Sequence, residues 1–228
     1  MTSQYDCNQL SNIIRKIENL GLDYWIDSGT LLGLIRDGDL LDGDKDIDIG
    51  VWSGEEKKII LAFNESFEEE YSLKEYFFRK ALYKLKLIPI NPNEKREIDI
   101  NIFIKYQDSA WCFQSLFFKK TNKLSYYFLA MIEYTFTARY IRSLKSLFYG
   151  KFPLILLRRP GFWQVPIEHF EKTTSLAHKG MNIKVPGNTD KYLSLKYGDW
   201  RSPRSNWDFM VDDGLIKRKF PKILLEKL

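Results

Sequence analysis

The sequence predicts an α+β fold: a mixed β-sheet with flanking helices, continued by a mainly helical C-terminal extension. Three observations predict it. Over residues 8–20 the apolar side chains recur at helical spacing. Over 46–52 and 96–106 isoleucines alternate with acids and amides, the period of a strand. From 113 to 160 the pattern returns to long helical runs dense in Phe, Tyr, Lys and Arg. The 228 residues suffice for one sizeable core, and no repeat or low-complexity linker divides them. Residues 1–228 are therefore read as one domain, with a core over 8–106 and a helical, basic extension over 107–228.

Each element has its own signal. Leu10, Ile13, Ile14, Ile17 and Leu20 line one face of a helix that Gly21 stops. Residues 22–27 form a short strand rich in aromatic and β-branched side chains. Ser28-Gly29 is a tight turn, and 30–36 is a short helix behind it. Residues 37–44, with glycines and leucines set between carboxylates, read as a loop. Asp46–Trp52 is a strand, and Ser53 is placed to cap a helix beginning at Gly54-Glu55-Glu56. Residues 76–90 and 96–106 are strands joined by Asn91-Pro92-Asn93, which predicts an antiparallel hairpin. Pro153, Pro160, Pro166 and Pro186 break the later chain into shorter pieces, and 188–197 reads as one more helix.

Composition removes several function classes. Cys7 and Cys112 alone make neither a disulfide framework nor a four-cysteine zinc site. His169 and His178 alone make no histidine-rich metal site; both are read as structural rather than acid–base groups. The longest nearly apolar stretch, 124–132, is far short of the roughly 20 residues that span a bilayer. The polar start MTSQYDCNQ lacks the apolar core of a secretory signal, so a cytoplasmic location is expected. The net charge of +5 is unevenly spread: residues 1–110 carry 14 Lys/Arg and 21 Asp/Glu, residues 111–228 carry 21 and 9. That division suggests a metal-binding part joined to a part that faces anions.

The most informative stretch is DYWIDSGTLLGLIRDGDLLDGDKDIDIGVW, residues 23–52. Asp37, Asp39, Asp42, Asp44, Asp46 and Asp48 fall within it, with Lys45 the one cation among them. Carboxylates held close together need a counter-charge, and a divalent cation is the usual one. Strand alternation puts Asp46 and Asp48 on one face while Ile47, Ile49 and Val51 turn to the core. Their oxygens suit Mg²⁺, with Mn²⁺ as the alternative, better than a softer metal. Asp37, Asp39 and Asp42 read as a solvated loop. An EF-hand over Asp44, Asp46, Asp48 and Glu55 is disfavoured, because Ile49 stands where the calcium loop needs glycine. On 96–106, Glu97, Asp99 and Asn101 share one face; if this strand lies beside the first, Asp99 joins Asp46 and Asp48. Three acids on adjacent strands, with a small-residue turn upstream, can hold metal ions that bridge nucleotide phosphates. The turn at Ser28, Gly29 and Thr30 opens a helix and offers N–H groups to a phosphate; Arg36 and Lys45 flank the acids as phosphate-neutralising cations or as structural ion pairs. Tyr24 and Trp25 either stack on a base or pack in the core; for Trp25 the core is favoured.

WIDSGTLLGLIRDGDLLDGDKDIDIGV resembles the signature of the LicD/fukutin family, in which G-T-L-L-G is followed by D-x-D-h-D with h apolar. EIDINIF resembles the family's third-acid strand, and VPGNTDKYLSLKYGDWRSP its C-terminal segment. The resemblance implies a nucleotidyltransferase-like fold with Asp46, Asp48 and Asp99 as catalytic and metal-binding acids. It also implies transfer of a phosphorylated alcohol, such as phosphocholine, ribitol phosphate or glycerol phosphate. The donor would be a CDP-linked alcohol and the acceptor a hydroxyl of a cell-surface glycan or lipid-linked glycan precursor. The sequence departs from the family pattern at Asp42-Gly43, where Pro-Trp is usual, and at Asp37, where His is frequent; the cysteine-bearing zinc insertion of some members is missing. Two alternatives stay open on the residues alone: transfer of a nucleotide from an NTP to a protein, RNA or small molecule, and a metal-dependent binding protein without turnover.

Over 113–160, nine Lys/Arg residues and Glu133 are interleaved with aromatics. That composition fits the helical half of the core, or contact with an anionic membrane surface at the inner face of the membrane. Nucleic acid is not expected as a partner, since no base-reading motif accompanies the charge.

Overall fold

The computed structural model describes residues 4–78, 81–93, 95–116, 159–204, 206–217, 221 and 224. Helix α1 (Gln4–Asn19) buries Leu10, Ile13, Ile14 and Ile17, the stripe its periodicity predicts. Strand β1 (Tyr24–Ile26) runs into α2 (Ser28–Arg36), and β2 (Asp46–Trp52) returns antiparallel to β1. Two short helices, α3 (Glu56–Leu61) and α4 (Phe63–Ser66), follow. Ser53 does not cap α3: its N–H bonds Phe103 O at 2.8 Å and extends the sheet, while the Glu56 carboxylate accepts from Gly54 N.

Strands β3 (Tyr71–Phe78) and β4 (Ala81–Pro89) form a hairpin, so the single strand read over 76–90 is in fact two. Leu82, Leu85 and Leu87 give that stretch a continuous strand-like look, and residues 76–87 hold no glycine or proline to mark a break. Strand β5 (Glu97–Tyr106) pairs antiparallel with β4, as expected from the Asn-Pro-Asn turn, and parallel with β2. Strand β6 (Ser109–Leu116) follows it. After residue 158 come β7 (Arg159–Pro166), α5 (Glu168–Glu171), the hairpin β8 (Thr174–His178) and β9 (Met181–Val185), α6 (Thr189–Tyr197), α7 (Phe209–Asp212) and β10 (Ile216–Lys217). The main sheet has the order β1-β2-β5-β6-β7-β10, with the β3–β4 hairpin also joined to β5. It is a mixed sheet of mostly antiparallel strands with flanking helices, not a barrel.

The chain divides into two compact units, Met1–Phe113 with Phe162–Leu228, and Gln114–Gly161. Most of the second lies outside the described residues, and with it the long helices expected over 113–160, although 113–116 continue β6 and 159–160 open β7. Among the described residues no helix is long and apolar enough to cross a membrane.

Register decides what each sheet face carries. Ile47, Ile49 and Val51 of β2 and Ile98, Ile100 and Ile102 of β5 are all at most 3% exposed, and they bury one face. The other face reads in rows across the parallel pair: Asp46 opposite Glu97, Asp48 opposite Asp99, Gly50 opposite Asn101, Trp52 opposite Phe103. It is therefore acidic where the strands begin and aromatic where they end. Trp25 lies over Gly50, where a β-carbon would fall 2.3 Å from the indole, so only glycine admits it. Phe170 of α5 stacks on Trp25 with ring centroids 4.2 Å apart, and Trp52 and Phe103 complete the cluster. Trp25 is core, as the sequence favours. Tyr24 is equally buried, its hydroxyl donating to Glu18 at 3.0 Å, so neither ring is offered to a base.

Candidate metal centre

Asp46, Asp48 and Asp99 each bring a carboxylate oxygen within 4.8 Å of the others. The in-register parallel pairing of β2 and β5 sets Asp48 directly opposite Asp99, and Asp46 one row away. Burial, then the charges of Asp99 and Asp44, push the Asp46 carboxyl up to about 7. Burial, then Asp46 and Asp99, hold Asp48 well above the ordinary carboxylate range, against a counter-pull from Lys84. Asn101 Nδ2 lies 3.5 Å from Asp48 Oδ1, at the edge of a hydrogen bond.

The turn before α2 packs against these acids. Thr30 Oγ1 accepts the Asp48 N–H at 2.8 Å, which pins β2 to the start of the helix. A β-carbon on Gly29 would sit 2.5 Å from Asp44 Oδ2 and 3.9 Å from Asp48 Oδ2, so the missing side chain is what lets the helix end approach the carboxylates. Ser28 adopts a left-handed φ of 49°, and its buried Oγ has no hydrogen-bond partner among the described residues. Asp27 caps the turn by accepting Ser28 N at 2.7 Å.

Asp27 and the groups that hold it escaped the sequence reading. Asp27 is wholly buried; burial raises its pKa, and Lys196 and a hydrogen bond from the Tyr192 hydroxyl oppose that rise. Both partners stand on α6, whose start is capped by Asn188 in the left-handed region. Lys196 donates to Asp213 Oδ2 at 2.9 Å, with its ammonium 3.4 Å from the Trp163 ring centroid. Tyr197, next along α6, has its hydroxyl pKa raised well above the ordinary value, by burial first and then by the charges of Asp48 and Asp27. The sequence showed α6 as a helix, but its inward face has a low-contrast mixture of Tyr, Leu and Lys.

Of the other predicted site residues, Arg36 forks onto Asp37 with two 2.8 Å hydrogen bonds, and Lys45 is exposed just before Asp46. Asp39 pairs with Lys179 at 2.7 Å and Asp42 is exposed, in keeping with a solvated loop. His169 is buried with Nδ1 2.8 Å from Gly187 O. Asp46–Trp52 is a strand and not a loop, which removes the EF-hand reading. Lys84 and Lys86, which the sequence reading passed over, reach Asp99 from β4; their alternation with Leu85 and Leu87 was the available signal.

A cluster of hard oxygen donors, in which burial first and then neighbouring charge raise the Asp46 and Asp48 carboxyls, fits a divalent cation such as Mg²⁺. Acids on adjacent strands of a mixed sheet face a Ser-Gly turn at a helix start. The family described as LicD/FKTN/FKRP, nucleotidyltransferase domain, matches residues 21–143, more than half of the sequence, and the chain belongs to that family. It is 25% identical over 197 residues to Ribitol-5-phosphate transferase FKTN of Macaca fascicularis, and equally to that of Homo sapiens. The aligned stretch covers 86% of this chain and 33% of each relative, so the chain spans about a third of the length of the curated relatives it matches.

Proposed function

We propose that the chain acts as one catalytic unit that transfers a phosphorylated alcohol from a CDP-linked donor to a hydroxyl of a glycan or lipid-linked glycan. The observation that carries this reading is the convergence of Asp46, Asp48 and Asp99 within 4.8 Å beside the Ser28-Gly29-Thr30 turn, in a chain of this family. The relatives' name, ribitol-5-phosphate transferase, makes ribitol phosphate the first alcohol to test.

Asp46, Asp48 and Asp99 would hold Mg²⁺ or Mn²⁺, which supplies neutralisation of the donor diphosphate. The protein's share is positioning. Thr30 fixes Asp48, and Asp27 holds the turn so that the N–H groups of Gly29 and Thr30 and the Ser28 hydroxyl are offered to a phosphate. The acceptor oxygen bonds to the donor phosphorus that bears the alcohol, the bond to the bridging oxygen breaks, and CMP leaves. The acceptor proton passes to Asp99 or to solvent, since a loose phosphoryl transition state asks little of a base. The basic, aromatic sequence over 113–160 supports an acceptor carried at an anionic membrane surface.

The test is product analysis with CDP-ribitol, CDP-choline and CDP-glycerol, Mg²⁺ and a glycan acceptor. CMP release that depends on acceptor supports the reading. Pyrophosphate release from an NTP with no CMP from any CDP-alcohol would overturn it in favour of nucleotide transfer.

A further inference from the structure

The carboxylate face does not end at β5. Its rows continue across β4 and β3: Asp48, Asp99, Lys86 and Lys74 form one line, and Gly50, Asn101, Lys84 and Tyr76 the next. One half of the face is acidic and the other basic, and they meet at Asp99. Lys84 pairs with Asp99 Oδ2, and Lys86 lies 3.1 Å from Asp99 Oδ1 while also pairing with Glu97. Both oxygens of the third acid are thus engaged by ammonium groups. Neither lysine is sealed in: their side chains are 21% and 17% exposed, enough to meet a ligand over the acids. Lysine suits this position because its ammonium is a compact point charge on a flexible stem, able to change partners without rebuilding the strand.

We propose that Lys84 and Lys86 belong to this centre, where they compete with a divalent cation for Asp99 and, when displaced from it, hold the phosphates of the donor. The inference rests on the phosphotransfer reading above and adds to it the residues that bind the anion. A cation entering among Asp46, Asp48 and Asp99 takes over the charge that the lysines balance. Their ammonium groups then face the diphosphate instead, on the side of the metal that β4 supplies. The basic shoulder orients the donor, with its phosphates toward β4 and its remainder directed away from it.

Two binding measurements with opposite expected signs test this. Mn²⁺ alone is titrated into metal-free protein and followed by its electron spin resonance signal. Pyrophosphate and CDP are then titrated calorimetrically at saturating Mn²⁺. Lys84→Met should bind Mn²⁺ about tenfold more tightly, as a neighbouring opposite charge leaves Asp99, and pyrophosphate about tenfold more weakly. Lys86→Met should move both in the same directions but less, because Lys86 also serves Glu97. Lys84→Arg should return both toward wild type. A folded Lys84→Met protein, matched by circular dichroism, that binds Mn²⁺ no more tightly than wild type, or pyrophosphate equally well, overturns the proposal. If wild type binds pyrophosphate but not CDP, the donor reading fails while the lysines are still tested.

Discussion

Lys196→Met probes the joint between α6 and the sheet, and its cost can be worked from the structure. Lys196 is 1% exposed and Asp213 is equally buried, with Nζ 2.9 Å from Oδ2. Asp213 also accepts from Trp163 Nε1 at 3.0 Å and from Leu215 N at 2.9 Å. Methionine matches lysine closely in length, so little packing is lost. What disappears is the counter-charge, and removing one partner of a buried pair costs about 3–5 kcal/mol. Two N–H donors still hold the carboxylate, which places the loss near the lower end, about 3 kcal/mol. At roughly 2–4 °C per kcal/mol for a chain of this size, Tm should fall by about 6–12 °C. Adding Asp213→Asn should recover about half of the loss, because an amide needs no counter-charge. Urea titration followed by far-ultraviolet circular dichroism, with a thermal scan at pH 7, measures both variants. A single-variant loss below about 1 kcal/mol would refute the claim that the buried Asp213 carboxylate depends on Lys196 as its counter-charge.

Four further outcomes are expected. Because the Asp46 carboxyl sits at about 7, above its unfolded value, its protonation stabilises the metal-free protein below about pH 4, and that stability is lost as pH rises through about 7. Metal-free protein should therefore melt at lower temperature at pH 8 than at pH 6, while Mn²⁺ affinity weakens over the same fall in pH; Asp46→Asn should flatten the melting trend and abolish turnover. Asp99→Asn should lower kcat by about a hundredfold or more and Glu97→Gln by less than about tenfold, since register puts Asp99 opposite Asp48 and Glu97 a row away; the reverse order would reassign the third acid. Gly29→Ala should leave Tm within about 1 °C, alanine being a good helix former, yet reduce turnover, because its methyl enters the space beside Asp44; full activity would remove the turn from the site. Charge reversal of Arg139, Arg142 and Lys145, which lie outside the described residues, should lower sedimentation with anionic vesicles, and unchanged binding would exclude a membrane role for them.

What was legible in the sequence was whatever local pattern enforces. Asp46–Trp52 was readable to the residue, because isoleucine alternation fixes both the strand and the face of its acids. Asp99 followed from the same alternation, and the parallel register with β2 places it as that pattern requires. The β3–β4 hairpin was missed because residues 76–87 hold no glycine or proline, and with it went the partners of Asp99. Asp27 gave no signal, since what buries it stands on α6 at the far end of the chain and nothing in its neighbours announces that contact.

The hydrogen bond from Tyr192 to Asp27 joins residues 165 positions apart, and the parallel partners Asp48 and Asp99 are separated by all of α3, α4 and the β3–β4 hairpin. On a ribosome, β2 emerges long before the strand that pairs with it, and the turn at Asp27 waits longer still. Asp99 is thus kept from Asp46 and Asp48 until β5 emerges, so its repulsion with them opposes the pairing of β5 with β2 and nothing earlier. The same order leaves an isoleucine-rich strand uncovered meanwhile, a hazard for aggregation that makes folding of this chain sensitive to the pace of translation and to the supply of chaperones.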